Sequence, residues 1–398
     1  MMRQPTILCL ASYFKGEPFM EEARRQGCRV LLLTEEKLAN AAWPHDSIDE
    51  FHLTPDLSNE RWIINTVSYL AHERVIDRIV PLDEYDVPMA AALREHLQIG
   101  GMGVSATRRF RDKLAMRNTA HSAGLRVPEY VGVLNYDHLR AFMQRVPPPW
   151  LLKPRTEAGA MGIKRIAGPD DLWRWLDQLG DEQSFFLLEQ YLPGAVFHVD
   201  SLVWDGEIVF ASAQKYGQPP LNVAHDGGVF VTRTLPPESE DAKALRAFNV
   251  QVLAALGLSR GAAHAEYIQA NGQFYFLEAA ARVGGAHIAD LIEKAAGINL
   301  WAEWARLVVA DARGETYRLP TLGHDQAGLL VCLAKQDYPD LTAYNDHEVV
   351  WKLHKKNHAG LIVASPDGSR VQELIDAYVP RFAADFLAVA PPKNKPTD

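Results

Sequence analysis

Two glutamates twelve residues apart, Glu266 and Glu278, stand in a stretch that reads HAEYIQANGQFYFLEAAARVGG, with His264 just before them and Arg282 just after. Two runs dense in apolar and aromatic residues are joined there by Asn271-Gly272, the pattern of a β-hairpin. Carboxylates are depleted in strands, so a pair of them inside such runs needs a partner. A shared divalent cation would supply it, because Mg²⁺ is held by one or two carboxylates together with substrate phosphates. Loop length decides whether the pair can share an ion. A two-residue Asn-Gly turn pairs Ala270 with Gln273 and sends the glutamates to opposite faces. A three-residue loop, Ala270-Asn271-Gly272 with Gly272 left-handed as a bulge, pairs Gln269 with Gln273 instead. The three-residue loop is the expectation, with His264 facing Glu278 and Glu266 on the same side. The plain alternative is two edge glutamates in water.

Two further segments carry candidate chemistry. WLLKPRTEAGAMGIKRI sets Lys153 at the end of a strand, then a loop holding Glu157, Gly159 and Gly162, then Lys164 on a returning strand. Glycines let a backbone approach phosphate oxygens and present its N–H groups, and a lysine at the loop root adds a compact positive charge. The loop matches neither the Walker A pattern nor the protein-kinase glycine loop, and a flexible surface hairpin would look the same. In FFLLEQYLPG, Glu189 follows four apolar residues, and the backbone from Gln190 to Leu192 could meet a purine edge. On the residues alone, a strand-end glutamate reaching water is the favoured reading.

The elements that would position these groups are legible in outline. The first hundred residues alternate strand-like runs (6–10, 29–33, 75–81) with helical patterns (16–26, 59–73), which predicts a parallel sheet with crossover helices. The loop after the first strand lacks the glycine fingerprint of dinucleotide folds, so a Rossmann-like shape is expected without NAD binding. Ser105 is expected to cap one helix running through Lys113 to about Gly124. Short strands follow at 150–153, 163–166, 185–190, 197–204 and 207–212, with a helix at 170–179 and a tight turn at Asp205-Gly206. A long helix at 240–256 precedes the glutamate hairpin, and helices start at Ala286 and Leu300. Residues 322–387 again mix strands and helices, and 391–398 read as a loose tail.

The fold class is therefore α/β, or α+β over the whole chain. A Rossmann-like domain is expected at 1–104, a second domain at 105–320 with a lid of about 126–190, and a small α+β module at 321–390. At 398 residues the chain exceeds one typical core. Its 47% hydrophobic and 23% charged content is that of an ordinary globular protein, and its net charge of −9 argues against a general nucleic-acid binder. Cys9, Cys28 and Cys332 are spaced as neither metal ligands nor a redox pair. No membrane span is expected, nor a signal peptide in MMRQPTILCLASYFKGE, so the reading is cytoplasmic.

The order of the motifs is more specific than any one of them. A helix lysine, a lysine–glycine hairpin, a Glu-x-Tyr-Leu turn and a two-glutamate hairpin ending in arginine resemble the ATP-grasp superfamily over roughly Asp83 to Leu300. The lead-in LDEYDVPMAAALREHLQIGGMGVSATRRFRDKLAMRNTAHSAGLRVPEY is similar to that of carboxylate–amine (L-amino-acid) ligases and biotin-carboxylase-like members. The resemblance implies a two-subdomain ATP-grasp fold that binds ATP with Mg²⁺, or Mn²⁺ in its place. By the same resemblance Lys113 and Lys153 contact phosphates, and Glu189 with the backbone of Tyr191 and Leu192 holds adenine. The loop from Glu157 through Gly159 to Gly162 closes over the triphosphate, Glu266 and Glu278 carry the metal, and Arg282 meets the substrate carboxylate or its acyl phosphate. His264 falls beside the metal or phosphates, or is a satisfied core histidine. Two positions depart from the family: Ala280 stands where an asparagine ligand is usual, and Val196 where a ribose partner is usual, with His198 or Asp200 as substitutes on the same strand face.

The implied function is ATP-dependent joining of a carboxylate to an amine through an acyl phosphate, with release of ADP and phosphate. Lys153 and Arg282 would do the catalytic work. The partners are small-molecule carboxylate and amine substrates, amino acids among them, with no nucleic acid and no membrane; a homodimer is compatible with the sequence. A biotin-dependent carboxylase ranks lower, because the chain shows no biotin-carrier lysine and departs from that branch at Ala280. An ATP-binding protein with weak or no catalysis is the third reading. His287, Trp301 and Trp304 could line a substrate pocket, but tryptophans three apart on a helix read better as core.

Overall fold

The computed structural model describes residues 3–388; the expected loose tail at 391–398 lies outside the described residues. The N-terminal runs form four parallel strands, β1 (Thr6–Ala11), β2 (Arg29–Glu35), β3 (Glu50–Thr54) and β4 (Arg78–Pro81), in the spatial order β3-β2-β1-β4. β1 is buried along its whole length, as a strand covered on both faces must be. The chain winds one way from β1 to β3 and then returns to add β4 on the other side of β1. That reversal opens a crevice beyond the carboxyl ends of β1 and β4, the place where open α/β sheets bind ligands.

One expected helix is two. The first helix, Val104–Arg111, is capped by Gly103 rather than Ser105 and stops at Asp112, whose backbone is extended. Asp112 then caps the next helix, Lys113–Ser122, by accepting from the amides of Leu114 and Ala115, and Arg155 grips the same carboxylate. The break puts Lys113 at a helix start.

A small antiparallel sheet follows, made of β5 (Tyr130–Gly132), β6 (Trp150–Pro154), β7 (Lys164–Ile166) and β8 (Phe186–Gln190) in the order β5-β8-β6-β7. The remaining strands share one antiparallel sheet: β9 (Ala195–Trp204), β10 (Glu207–Tyr216), β11 (Phe230–Thr234), β12 (Gly261–Ala270), β13 (Gln273–Ala280), β14 (Gln326–Leu333), β15 (Val349–Lys352) and β16 (His358–Ser365). Its order is β13-β12-β9-β10-β11-β14-β16-β15, so the last three strands extend the central sheet rather than build their own. No helix among the described residues is long and apolar enough to cross a membrane.

The glutamate hairpin corrects the expected loop. Asn271 (φ 51°) and Gly272 (φ 72°) form a two-residue turn with both centres left-handed, and Ala270 pairs with Gln273. This turn suits the right-handed twist of the strands better than the three-residue loop. The glutamates nevertheless meet, because the register shifts beyond the Tyr267–Phe276 pair. Leu277 is the extra residue of a β-bulge, and Glu266 lies directly opposite Glu278. His264 consequently faces Ala280, not Glu278.

Candidate active site

A cavity of about 350 Å³ lies between the small sheet and the central sheet. Lys113, Lys153, Glu157, Gly159, Glu189, Tyr191, Leu192, Glu266, Glu278 and Arg282 all line it, so the structure brings together most of the residues singled out from sequence. Gly162 and His198 do not line it. One end is apolar, walled by Val196, Tyr216, Ile268 and Leu277, and would accept a flat heteroaromatic ring. The other end is charged.

At the charged end Lys113 Nζ lies 2.9 Å from Glu278 Oε2 and donates to the Glu157 carbonyl at 2.6 Å. The glycine loop is tied further by Tyr85, whose hydroxyl donates to Glu157 Oε2 at 3.0 Å, and by Arg111, which donates to the Thr156 carbonyl at 2.5 Å. Glu266 Oε1 accepts from the Tyr216 hydroxyl at 2.8 Å and sits 3.5 Å from His264 Nε2. Burial alone would raise the Glu266 pKa; the hydrogen bond and charge of His264, with help from Tyr216, hold it below its ordinary value. Two carboxylates opposed on neighbouring strands, both facing the cavity, form the hard oxygen set that suits Mg²⁺. Ala280 offers no third protein oxygen.

Glu189 corrects its reading on both counts. It is 1% exposed, so it is no strand-end group in water. Its carboxylate is also taken: Arg117 donates from Nε at 2.7 Å, and Lys153 donates to the other oxygen. Burial would push its pKa up, but these two cations hold it down. The side chain is spent on orienting Lys153 and Arg117.

His198 is likewise moved out of the role proposed for it. It is fully buried, with Nδ1 2.7 Å from Asp200 Oδ2 and Nε2 2.7 Å from Thr232 Oγ1, so neither nitrogen is left for a ribose. Asp200 also holds His264 Nδ1 at 2.9 Å. Burial disfavours the His264 imidazolium, yet Asp200 and Glu266 raise its pKa to about 10. A single carboxylate thus ties two histidines under the glutamate hairpin and steadies Glu266 through His264. Gly284 is needed beside them, since a Cβ there would come within 2.5 Å of Asp200 Oδ1 and 3.1 Å of His264 Nδ1. Gly284→Ala is expected to destabilise the fold by about 1–3 kcal/mol, measured by denaturant unfolding, because Asp200 is locked by both imidazoles and cannot retreat.

Sequence reasoning missed the group that holds Arg282. Glu84, in the loop after β4, accepts from Arg282 Nη2 at 2.7 Å and from Arg111 Nη1 at 2.7 Å. Its place at the reversal of strand order was the available signal. Arg282 Nε is buried without a partner among the described residues. Burial opposes ionisation of Glu84, but Arg282, Arg111 and Lys113 bring its pKa down to about 2. A depressed carboxylate stabilises the fold above its unfolded pKa, near 4.5, and loses that contribution as pH falls towards 2. The unfolding midpoint of Glu84→Gln should therefore depend less on pH between about 4.5 and 2 than that of the wild type.

Comparison with known proteins agrees with this geometry. Residues 20–101 match the family model for the ATP-grasp N-terminal domain and residues 146–290 that for the ATP-grasp domain, together more than half of the chain. An L-arginine-specific L-amino acid ligase of Bacillus subtilis is 29% identical over 233 residues, covering 56% of each protein. The alanine–anticapsin ligase of Bacillus subtilis strain 168 is 23% identical over 284 residues, covering 65% of this chain and 57% of that protein. The chain thus spans little more than half the length of these curated relatives. Among solved structures, an L-amino acid ligase from Bacillus licheniformis superposes with a TM-score of 0.75 at 17% identity, over 98% of this chain and 99% of that one. An N5-carboxyaminoimidazole synthetase from Staphylococcus aureus, solved with ADP, superposes with a TM-score of 0.70 at 17% identity, over 94% and 96%. At such identities the superpositions establish the fold.

Proposed function

The chain belongs to the ATP-grasp superfamily, and from that premise we propose that it is an ATP-dependent carboxylate–amine ligase acting on small substrates, amino acids among them. The observation that carries the reading is the convergence of Glu266, Glu278, Lys113, Lys153 and Arg282 on one cavity beneath a glycine loop. A carboxylate resists nucleophiles because of its charge and because oxide leaves poorly. Its oxygen attacks the γ-phosphorus of ATP, the bond to the bridging oxygen breaks, and ADP departs. The amine nitrogen then attacks the acyl phosphate carbon; phosphate leaves and the nitrogen loses a proton.

Phosphoryl transfer needs mainly alignment and charge stabilisation. Lys153, fixed by Glu189, and Lys113, at its helix start, both line the cavity and would contact phosphate oxygens. Glu266 and Glu278 would hold Mg²⁺, which neutralises developing phosphate charge. Mn²⁺ could serve at the same oxygens. Arg282, steered by Glu84 and lining the cavity, would pair its guanidinium with the substrate carboxylate and then with the oxyanion. The loop from Glu157 to Gly162, tied to Tyr85 and Lys113, shields the acyl phosphate from water.

The test is release of ADP and phosphate from ATP and Mg²⁺ with a matrix of paired amino acids, followed by mass analysis of the product. Amide formation with one ADP per bond is expected. Turnover dependent on bicarbonate and biotin instead would replace the ligase reading with a carboxylase. Nucleotide binding with no turnover across the full matrix would count against catalysis.

A further inference from the structure

A second cavity, of about 410 Å³, shares no lining residue with the candidate active site. It lies along β4, at the edge of the N-terminal sheet, where β4 faces helix Leu300–Arg313 and the residues that lead into β12. Its charges do not balance. Arg78, Arg94 and Arg260 line it, against Asp205 and Asp311. Both acids are already shared by two of the arginines: Arg260 Nε donates to Asp205 at 2.7 Å, Arg78 Nε donates to Asp311 at 2.5 Å, and Arg260 pairs with Asp311 as well.

Arg94 has no carboxylate partner among the described residues. It donates to backbone carbonyls only, to Ile79 from Nε at 3.1 Å and Nη2 at 2.5 Å and to Met102 from Nη1 at 3.3 Å. Burial and the neighbouring Arg78 charge draw its pKa down to about 10. Arg94 is only half-buried, and an anion brought into the cavity would give its guanidinium the counter-charge it lacks.

An independent observation points the same way. Trp304 is 5% exposed as a residue and lines the same cavity, and its indole N–H, which has no acceptor among the described residues, faces open space. An indole N–H that opens onto a cavity is a directional donor for whatever occupies it. The ring itself is fixed, edge-on to Phe19 at 5.4 Å and beside Trp301 at 5.9 Å, so the N–H cannot swing away. A methyl group added at Gly261 would lie 3.7 Å from Trp304 Nε1, so the glycine leaves that flank of the donor open. The rest of the wall is apolar, with Leu258, Leu307 and Val308.

We propose that this cavity is a binding site for a small organic anion, a carboxylate on an apolar body, its charge met by Arg94 and one oxygen accepting from Trp304 Nε1. Such a ligand would touch β4 on one side and helix Leu300–Arg313 on the other, clamping the N-terminal sheet to the core. A cation and one directional donor at the end of a greasy slot select the anion and its apolar body together.

Calorimetric titration of the full chain with benzoate, with benzamide as the uncharged isostere and inorganic phosphate as the bare anion, tests this. One benzoate per chain is expected, with benzamide and phosphate at least tenfold weaker. Trp304→Phe keeps the ring and deletes the donor, and should weaken benzoate several-fold; Arg94→Lys should weaken it about tenfold. The proposal is overturned by absent benzoate binding, by benzamide or phosphate binding as tightly, or by binding that neither variant changes, since benzoate would then sit elsewhere, for example on Arg282. Arg94 also holds the Ile79 and Met102 carbonyls; should Arg94→Lys fail to fold, Trp304→Phe decides alone.

Discussion

Glu278→Gln should lower turnover by roughly three orders of magnitude while leaving the unfolding midpoint close to that of the wild type. Glutamine preserves the size of the side chain and an oxygen for Lys113, but it removes the negative charge that a divalent cation requires. The stability cost is small because Glu278 is about one-third exposed, and its pairing with Lys113 is of the partly solvated kind worth about 0–1 kcal/mol. Binding of Mn²⁺ in the presence of ADP, measured without turnover, should weaken in parallel with activity. Wild-type turnover of this variant at limiting Mg²⁺ would remove Glu278 from the metal site.

Glu189→Ala should be the most damaging single change to the fold. Glu189 and Arg117 are each about 1% exposed, and Lys153 is close behind, so truncation leaves two buried cations with nothing between them. Breaking a buried pair in this way costs about 3–5 kcal/mol, far more than the intact pair contributes. Denaturant unfolding measures the loss directly. If Glu189 instead read the adenine base, Glu189→Ala would fold normally and show its effect in the apparent affinity for ATP. The two outcomes separate a structural clamp from a ligand contact.

Much of the architecture is legible locally. Alternation of apolar runs and helical patterns in the first hundred residues is enough to announce a parallel sheet, because a strand buried on both faces must be apolar throughout, as β1 is. Asp205-Gly206 announces its turn because few other pairs tolerate two left-handed residues in succession, a rule that Asn271-Gly272 obeys against the three-residue loop expected there. Failures cluster where one residue more or less changes the geometry. No propensity marks Leu277 as an extra residue in β13, since a bulge depends on the strand opposite. Within the helical pattern expected from Ser105 to about Gly124, Asp112 is a residue type that caps helices, but that it breaks this one is decided with Arg155, forty-three residues away, which helps to hold the cap.

The sequence by itself determined which residues carry charge into the site, and in what order, because chemistry-bearing types sit at strand and helix ends that periodicity can locate. The tertiary structure alone decided which of them are free to act. Glu189 is consumed by Arg117 and Lys153 and His198 by Thr232 as well as by its strand neighbour Asp200, with Arg117, Lys153 and Thr232 brought from other elements, while Glu84 arrives from the turn after β4 to aim Arg282. Whether a buried polar group is spent on its neighbours or left for a ligand depends on contacts across the fold, and local patterns carry no information about those.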